Sequence, residues 1–389
     1  MKIGIDCRLW AQSGVGRYIR NLVAELAKID KKNEYMLFVR SEDSEEIKSQ
    51  LSNLNFQLIK ADARWHSFAE QIAFLKILNR ENCDLVHFPY FSHPIFYNKP
   101  FVITIHDLII THYPTGKAST LPMPLYFTKR VVYNRVLSHA LKKSKKIIVP
   151  LHAVADDLEK TFHVSKDKIV VTREGIDKML HPKSNTAYSI LNTKYFLYVG
   201  NAYPHKNLDR LVDAFSMLCH PERSEGPRDS SAKPQNDISL LLVGKEDYFY
   251  KRLKEKVQKT GLENRVLFKG FVSDEELANL YQHAIALVIP SLMEGFGLPV
   301  LEAMSNNCLV LASDIPSLRE VAADAAVYFD PKNTQDMQKT LREVLTKKKD
   351  FYKQHIEKGK KQATMFSWEK TASQTLQIYE SCFSLRQGQ

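Results

Sequence analysis

Two glutamates eight positions apart, Glu294 and Glu302, bracket a Gly-Phe-Gly-Leu-Pro turn in the stretch SLMEGFGLPVLEAM, Ser291 to Met304. This spacing admits a carboxylate pair for acid/base work, a metal site, or the ordinary acid of a helix N-terminus. The preceding ALVIPS reads as a β-strand, so Glu294 falls in the loop at a strand's carboxyl end, the edge where open α/β sheets bind ligands. Gly295 and Gly297 let the backbone turn sharply and come close to a ligand. Pro299 suits a first helical position, which predicts a helix PVLEAMSNN with Glu302 in its first turn. The free N–H groups there favour an anion such as a diphosphate. A carboxylate accepts hydrogen bonds from two neighbouring hydroxyls, and ribose and hexose both offer such diols. A nucleotide sugar therefore accounts for both acids and for the amides between them. Glu302 alone has a plain structural reading, because acids are favoured in any helix's first turn. Glu294, beside two glycines in a loop, has no such duty.

Three more places carry residue types that do chemistry. YVGNAYPHKN, Tyr198 to Asn207, follows a strand and ends on Lys206; taken alone, that lysine is an ordinary surface residue. SGVGRYIRNL, Ser13 to Leu22, holds Gly14 and Gly16, a weak signal that is commonly just a turn. The missing third glycine argues against a dinucleotide fingerprint. VITIHDLI, Val102 to Ile109, ends a strand with His106 and Asp107. A lone histidine there is more often structural, and Asp107 either orients the imidazole or caps the next turn. No D-x-D motif sits at a strand end, and the five cysteines (Cys7, Cys83, Cys219, Cys308, Cys382) have no metal spacing. They read as small buried apolar residues.

The elements that must position these residues alternate short β-branched runs with amphipathic stretches, the pattern of parallel α/β architecture. KIGIDC, EYMLFVR, NFQLIKA, DLVHFP, FVITIHD and KKIIVP are the strands of a first set; YFLYVGN, ISLLLVGK, RVLFKGF, ALVIPS and CLVLAS are those of a second. Two such sets imply two Rossmann-like domains, joined near Gly175–Pro182. Cys219 to Asp237 interrupts the second set with three prolines and many polar residues, where an α/β unit needs only ~2–6 residues. It reads as a disordered surface insertion without chemistry. FSWEKTASQTLQIYESCF, near the end, predicts an amphipathic helix capped by Ser367.

At 389 residues, 44% hydrophobic and 25% charged, the chain has the composition of a two-domain globular protein. No apolar run approaches the ~20 residues of a membrane span. The start, MKIGIDCRLW, reads as a strand rather than a secretory signal, which predicts a cytoplasmic location. The net charge of +11 is uneven: residues 1–178 hold 27 basic against 19 acidic residues, and the remainder 28 against 25. No acid occurs between Asp107 and Asp156, a stretch with Lys117, Lys129, Arg130, Arg135, Lys142, Lys143, Lys145 and Lys146 among aromatic and aliphatic residues. Such a stretch suits an anionic membrane surface or polyanionic partner, or equally a solvated helix face beside a phosphorylated ligand.

E-G-F-G-L-P-x-L-E-A-M resembles the E-x7-E signature of the retaining glycosyltransferases of family 4, which have the GT-B fold. The resemblance spans nearly the whole chain apart from the insertion. It implies an α/β, GT-B protein with two Rossmann-like domains facing a central cleft: residues 1–178 for the acceptor, 179–365 for the nucleotide-sugar donor, with the insertion at 219–237. The helix of 366–389 would dock within the second domain or cross back to the first. Carried over by position, Glu294 would hold the donor sugar's hydroxyls near the reacting carbon and Glu302 the ribose hydroxyls. Gly295, Phe296, Gly297 and Leu298 would line the donor between them. YVGNAYPHKN is similar to the family's glycine-plus-basic loop, which puts Gly200 and Asn201 at the donor and Lys206 on its diphosphate. The arginine that often precedes that lysine is missing, so charge stabilisation would rest on Lys206, a helix N-terminus and His205. SGVGRYIRNL resembles the N-terminal glycine loop, with Gly14 and Gly16 approaching the donor phosphate or the acceptor. His106 matches a histidine near the donor hexose, making Glu294, His106 and Lys206 the implied catalytic set. SDIPSLREVAADAAVYFDP, Ser313 to Pro331, matches the family segment after the second glutamate, with Pro316, Glu320 and Val321 structural. In TREGID, Glu174 replaces the usual Asn of an N-G-[IV]-D segment, with no assignable chemistry.

The resemblance further implies front-face attack with retention and no metal or cofactor beyond the nucleotide-sugar co-substrate. The donor would be GDP-mannose, as in the bacterial mannosyltransferases of surface polysaccharide and lipopolysaccharide synthesis that the motifs resemble, with UDP-sugars open. A saccharide or lipid-linked saccharide would be the acceptor, with peripheral contact to the inner face of an anionic membrane and no nucleic acid. Two enzymes and a binder are the competing readings. A nucleotide-sugar epimerase would need an acid/base pair around the sugar, and a dehydrogenase a complete G-x-G-x-x-G with an acid ~20 residues on. A non-catalytic sugar-nucleotide binder would bind donor without hydrolysing it.

Overall fold

The computed structural model describes residues 1–51, 56–113, 123–177, 194–220, 238–347 and 349–387. Two compact units emerge. One comprises Met1–Leu108, Leu121–Gly175 and Phe366–Gln389; the other, Ile109–Thr120 and Ile176–Met365. The division falls at Gly175/Ile176, near the expected boundary after residue 178, which itself lies outside the described residues.

The first unit is built on a seven-stranded parallel sheet of β1 (Lys2–Asp6), β2 (Glu34–Val39), β3 (Phe56–Lys60), β4 (Leu85–Phe88), β5 (Phe101–Thr104), β6 (Ile147–Val149) and β7 (Ile169–Val171). Their order is β3-β2-β1-β4-β5-β6-β7. The chain builds outward from β1 to β3, then returns to β4 on the other side of β1. That reversal opens a crevice at the carboxyl ends of β1 and β4. Helix Gly14–Ile29 covers the sheet with Tyr18, Ile19, Leu22, Val23 and Leu26, the three- and four-residue spacing of one buried face. The last helix, Trp368–Gln387, also belongs to this unit: Trp368, Ala372, Ile378, Tyr379 and Cys382 lie in the core with Ile3, Leu22 and Leu26. The Ser367 hydroxyl accepts from the Lys370 N–H at 3.3 Å and caps its first turn.

The second unit has a six-stranded parallel sheet of β8 (Lys194–Val199), β9 (Ile238–Val243), β10 (Val266–Gly270), β11 (Ala286–Ile289), β12 (Val310–Ser313) and β13 (Ala326–Phe329), ordered β10-β9-β8-β11-β12-β13. Its switch point lies between β8 and β11. β9 is buried at every position, as strands covered on both faces are.

Two strands are not singled out in the sequence: β7 and β13 are edge strands of three and four residues, β7 partly buried throughout and β13 buried at Ala326 and Phe329. Cys219 closes helix Leu208–Cys219 and is buried, with His220 as its C-cap, so neither belongs to an insertion; residues 221–237 of the predicted insertion lie outside the described residues. Residues 117–122 of the basic stretch do so too. On helix Met123–Lys143, Lys129, Arg130, Val131, Val132 and Arg135 are exposed. All five cysteines are buried thiols. Among the described residues, no helix is long and apolar enough to cross a membrane.

Candidate active site

In the second unit, the loops leaving the two strands at the switch point meet. Lys206 ends a short 3-10 turn, Pro204–Lys206, after β8; Glu294 follows β11. Lys206 Nζ donates to both Glu294 carboxylate oxygens, each at 2.8 Å, and the Ser291 hydroxyl donates to Oε1 at 2.6 Å. Their side chains are 17% and 9% exposed. Such a pair keeps most of its Coulomb attraction while remaining open to a ligand. Backbone and amide bonds fix the loops that carry it. The Leu292 N–H donates to the His205 carbonyl at 2.7 Å, and Asn207 Nδ2 donates to the carbonyls of Pro290 (2.9 Å) and Pro331 (2.8 Å). Asn207 has φ +60°, the left-handed conformation that asparagine tolerates and that starts helix Leu208–Cys219.

His205 is buried, and its pKa falls to about 4, first through burial and then through the neighbouring Lys206 cation. It is neutral near pH 7 and supplies no charge there, which corrects the expectation that it could share the work of Lys206. Gly200 and Asn201 lie on the same β8 loop. Asn201 is exposed, and its carbonyl accepts from the Tyr198 hydroxyl at 2.6 Å.

Gly295, Phe296 and Gly297 form the turn after Glu294, and Leu298 opens the helix that carries Glu302. Gly297 adopts φ +90°, which only glycine takes without strain, and acts as N-cap of helix Leu298–Ser305. The helix therefore starts one residue earlier than Pro299 suggests. Glu302 becomes its fifth residue, beyond the first turn, so the helix N-terminus does not explain its presence. It is 4% exposed and accepts from the Tyr281 hydroxyl at 2.9 Å through Oε2. Phe296 is buried at 6% exposure.

In the first unit, Gly14 and Gly16 are not in a loop but in the first turn of helix Gly14–Ile29. A Cβ on Gly16 would lie 2.4 Å from the Trp10 carbonyl oxygen, so close packing of helix on turn requires that glycine. Gly14 is exposed and meets no such limit. His106 follows β5. Its Nδ1 lies 2.8 Å from Glu174 Oε1 and its Nε2 3.0 Å from the Pro89 carbonyl. Glu174, rather than Asp107, thus orients the imidazole. Ser291, Asn207, Tyr281 and Glu174 all went unassigned in the sequence, although Asn207 and Ser291 flank the motifs that point to Lys206 and Glu294.

Two doubly wound parallel sheets in one chain define the class. Sucrose-phosphate synthase (tll1590) from Thermosynechococcus elongatus shares this GT-B architecture, with a TM-score of 0.74 over 99% of this chain and 100% of that one at 20% identity. Sequence models of two families then match nearly end to end: Glycosyltransferase Family 4 over residues 12–179 and Glycosyl transferases group 1 over residues 184–362. The chain belongs to the family 4 glycosyltransferases. It is 28% identical to O-antigen chain mannosyltransferase B of Escherichia coli, across 95% of this chain and 96% of that protein. It is also 28% identical to O-antigen chain mannosyltransferase RfbU of Salmonella typhimurium, across 72% of this chain and 70% of that protein.

Proposed function

We propose that the chain transfers a hexose, with retention, from a nucleotide diphosphate donor held at the β8/β11 switch point, and that the donor is GDP-mannose. The Lys206–Glu294 pair carries this reading: one cation for a diphosphate and one carboxylate for sugar hydroxyls, already in contact at the ligand-binding edge of the sheet. On binding, the donor would take Lys206 onto its phosphate oxygens and leave Glu294 free to accept from the hexose hydroxyls. The C1–O bond to phosphate then breaks as the acceptor hydroxyl bonds C1 on the same face, and the acceptor's proton passes to the departing phosphate oxygen. Lys206 stabilises the charge that develops there. The family resemblance supports His106 as a further residue used in the reaction. The relatives' printed activities support mannose as the sugar.

Glu302 serves the ribose. Glu302→Ala is expected to raise the donor KM about 10–100-fold with little change in kcat, the worth of a hydrogen bond to a charged group. Tyr281→Phe, which removes only the supporting hydroxyl, should raise it less. A fall in kcat with an unchanged KM would contradict the assignment.

A thermal-shift screen of nucleotides and nucleotide sugars tests the donor. GDP and GDP-mannose should raise the melting midpoint, as ligands that bind only the folded state do. A selective response to UDP or ADP forms would replace the base, and no response to any would sink the transferase reading. With Lys206 as the diphosphate's counter-charge, transfer should survive EDTA; loss restored by Mn²⁺ would overturn that part.

A further inference from the structure

We propose that Glu174 is the counter-ion that fixes His106 as a doubly protonated imidazolium, so that His106 serves the transfer reaction as a held charge and not as a proton shuttle. The inference rests on the functional reading above for the use of that charge; the pairing itself stands on geometry.

Both partners of the ring are acceptors. His106 Nδ1 faces a Glu174 oxygen at 2.8 Å, and Nε2 faces the Pro89 carbonyl at 3.0 Å. A carbonyl accepts only, as does an ionised carboxylate, so each ring nitrogen must carry a hydrogen. A neutral imidazole would turn a lone pair toward one of them. The two side chains are 13% and 8% exposed, so little water is present to relieve that mismatch.

The setting favours one cation. Tyr18, from helix Gly14–Ile29, packs against the imidazole edge-on, with ring centroids 4.9 Å apart. His87, on β4, is buried and kept neutral, with its pKa lowered to about 3, first by burial and then by His106. Its nitrogens lie 2.6 Å from the Tyr379 hydroxyl and 2.8 Å from the Thr104 hydroxyl. Burial opposes charge on His106, yet Glu174, the Pro89 carbonyl and Asp107 together raise its pKa. Two hydrogen bonds fix the backbone just before Glu174. The Thr172 N–H donates to the Val149 carbonyl at 2.8 Å, and the Thr371 hydroxyl of the last helix donates to the Arg173 carbonyl at 2.6 Å.

The test is NMR of the full chain with ¹⁵N-labelled histidine, alongside the pH dependence of kcat/KM for GDP-mannose. Both His106 ring nitrogens should be protonated near pH 7 in the wild type. In Glu174→Gln, His106 should be neutral there, and the alkaline limb of kcat/KM should move about 1–3 pH units lower, the effect of losing an adjacent opposite charge. Glu174→Asp should restore part of it. A neutral His106 in the wild type (a protonated Glu174 donating to it, for example) would overturn the inference. So would a Glu174→Gln variant whose His106 stays charged. A changed protonation state with an unmoved pH profile would keep the counter-ion but remove His106 from the reaction, overturning the functional reading instead.

Discussion

Glu294→Ala lowers kcat for hexosyl transfer by about 10²–10³-fold, while the donor KM stays level or falls. The reason lies in what Glu294 touches. Its carboxylate accepts from Lys206 through two 2.8 Å bonds, so a bound diphosphate would compete with that acid for the cation. Removing the acid frees Lys206 for the diphosphate and does not weaken donor binding. The loss falls on the step in which charge develops at the reacting carbon and the sugar hydroxyls must be held, and it appears in turnover. Stability is the confounding effect. Lys206 would be left with a mostly buried, unpaired ammonium, at a cost of about 1–3 kcal/mol. Glu294→Gln retains the shape and an acceptor for the Ser291 hydroxyl, so a matched melting midpoint with lost turnover isolates the chemical role. Steady-state kinetics with both variants decides it: a rise in KM with kcat intact would reassign Glu294 to simple donor binding.

Lys206→Ala should show a different signature, with kcat/KM falling about 10²–10³-fold and both constants contributing. The lysine meets the diphosphate in the bound donor and again, more strongly, as the phosphate departs. Its removal also leaves Glu294, 9% exposed, as an uncompensated acid beside an anionic ligand. Burial still opposes charge on His205 in this variant, so it is a poor substitute for the lysine. The two residues act as a unit, so the double variant Lys206→Ala/Glu294→Gln should lose little more than the worse single variant. Full additivity across that cycle would mean that the pair has no part in catalysis.

How much of this the sequence discloses depends on how far apart the contacting residues lie. Glu294 and Lys206 are each legible because a strand, a turn and a charged residue are consecutive. Their contact, across 88 positions, follows only once β8 and β11 are known to be neighbours. Glu302 is legible as an acid near a helix start. Its true place in the second turn depends on the φ of Gly297, which residue types do not fix. Gly16 is visible as a glycine, but its cause, the Trp10 carbonyl beneath it, is a packing fact. Glu174 is visible only as a departure from the usual Asn and Tyr281 not at all, because their partners lie 68 and 21 residues away, on other elements.

The most direct measurement is release of nucleoside diphosphate from saturating GDP-mannose, followed for the wild type and for Glu294→Gln at equal folded concentration. The wild type should release GDP and deliver mannose in the α configuration it had in the donor, and Glu294→Gln should bind GDP-mannose as well while releasing GDP at least about 10²-fold more slowly. Equal release by the two proteins, or product of inverted configuration, would contradict the account.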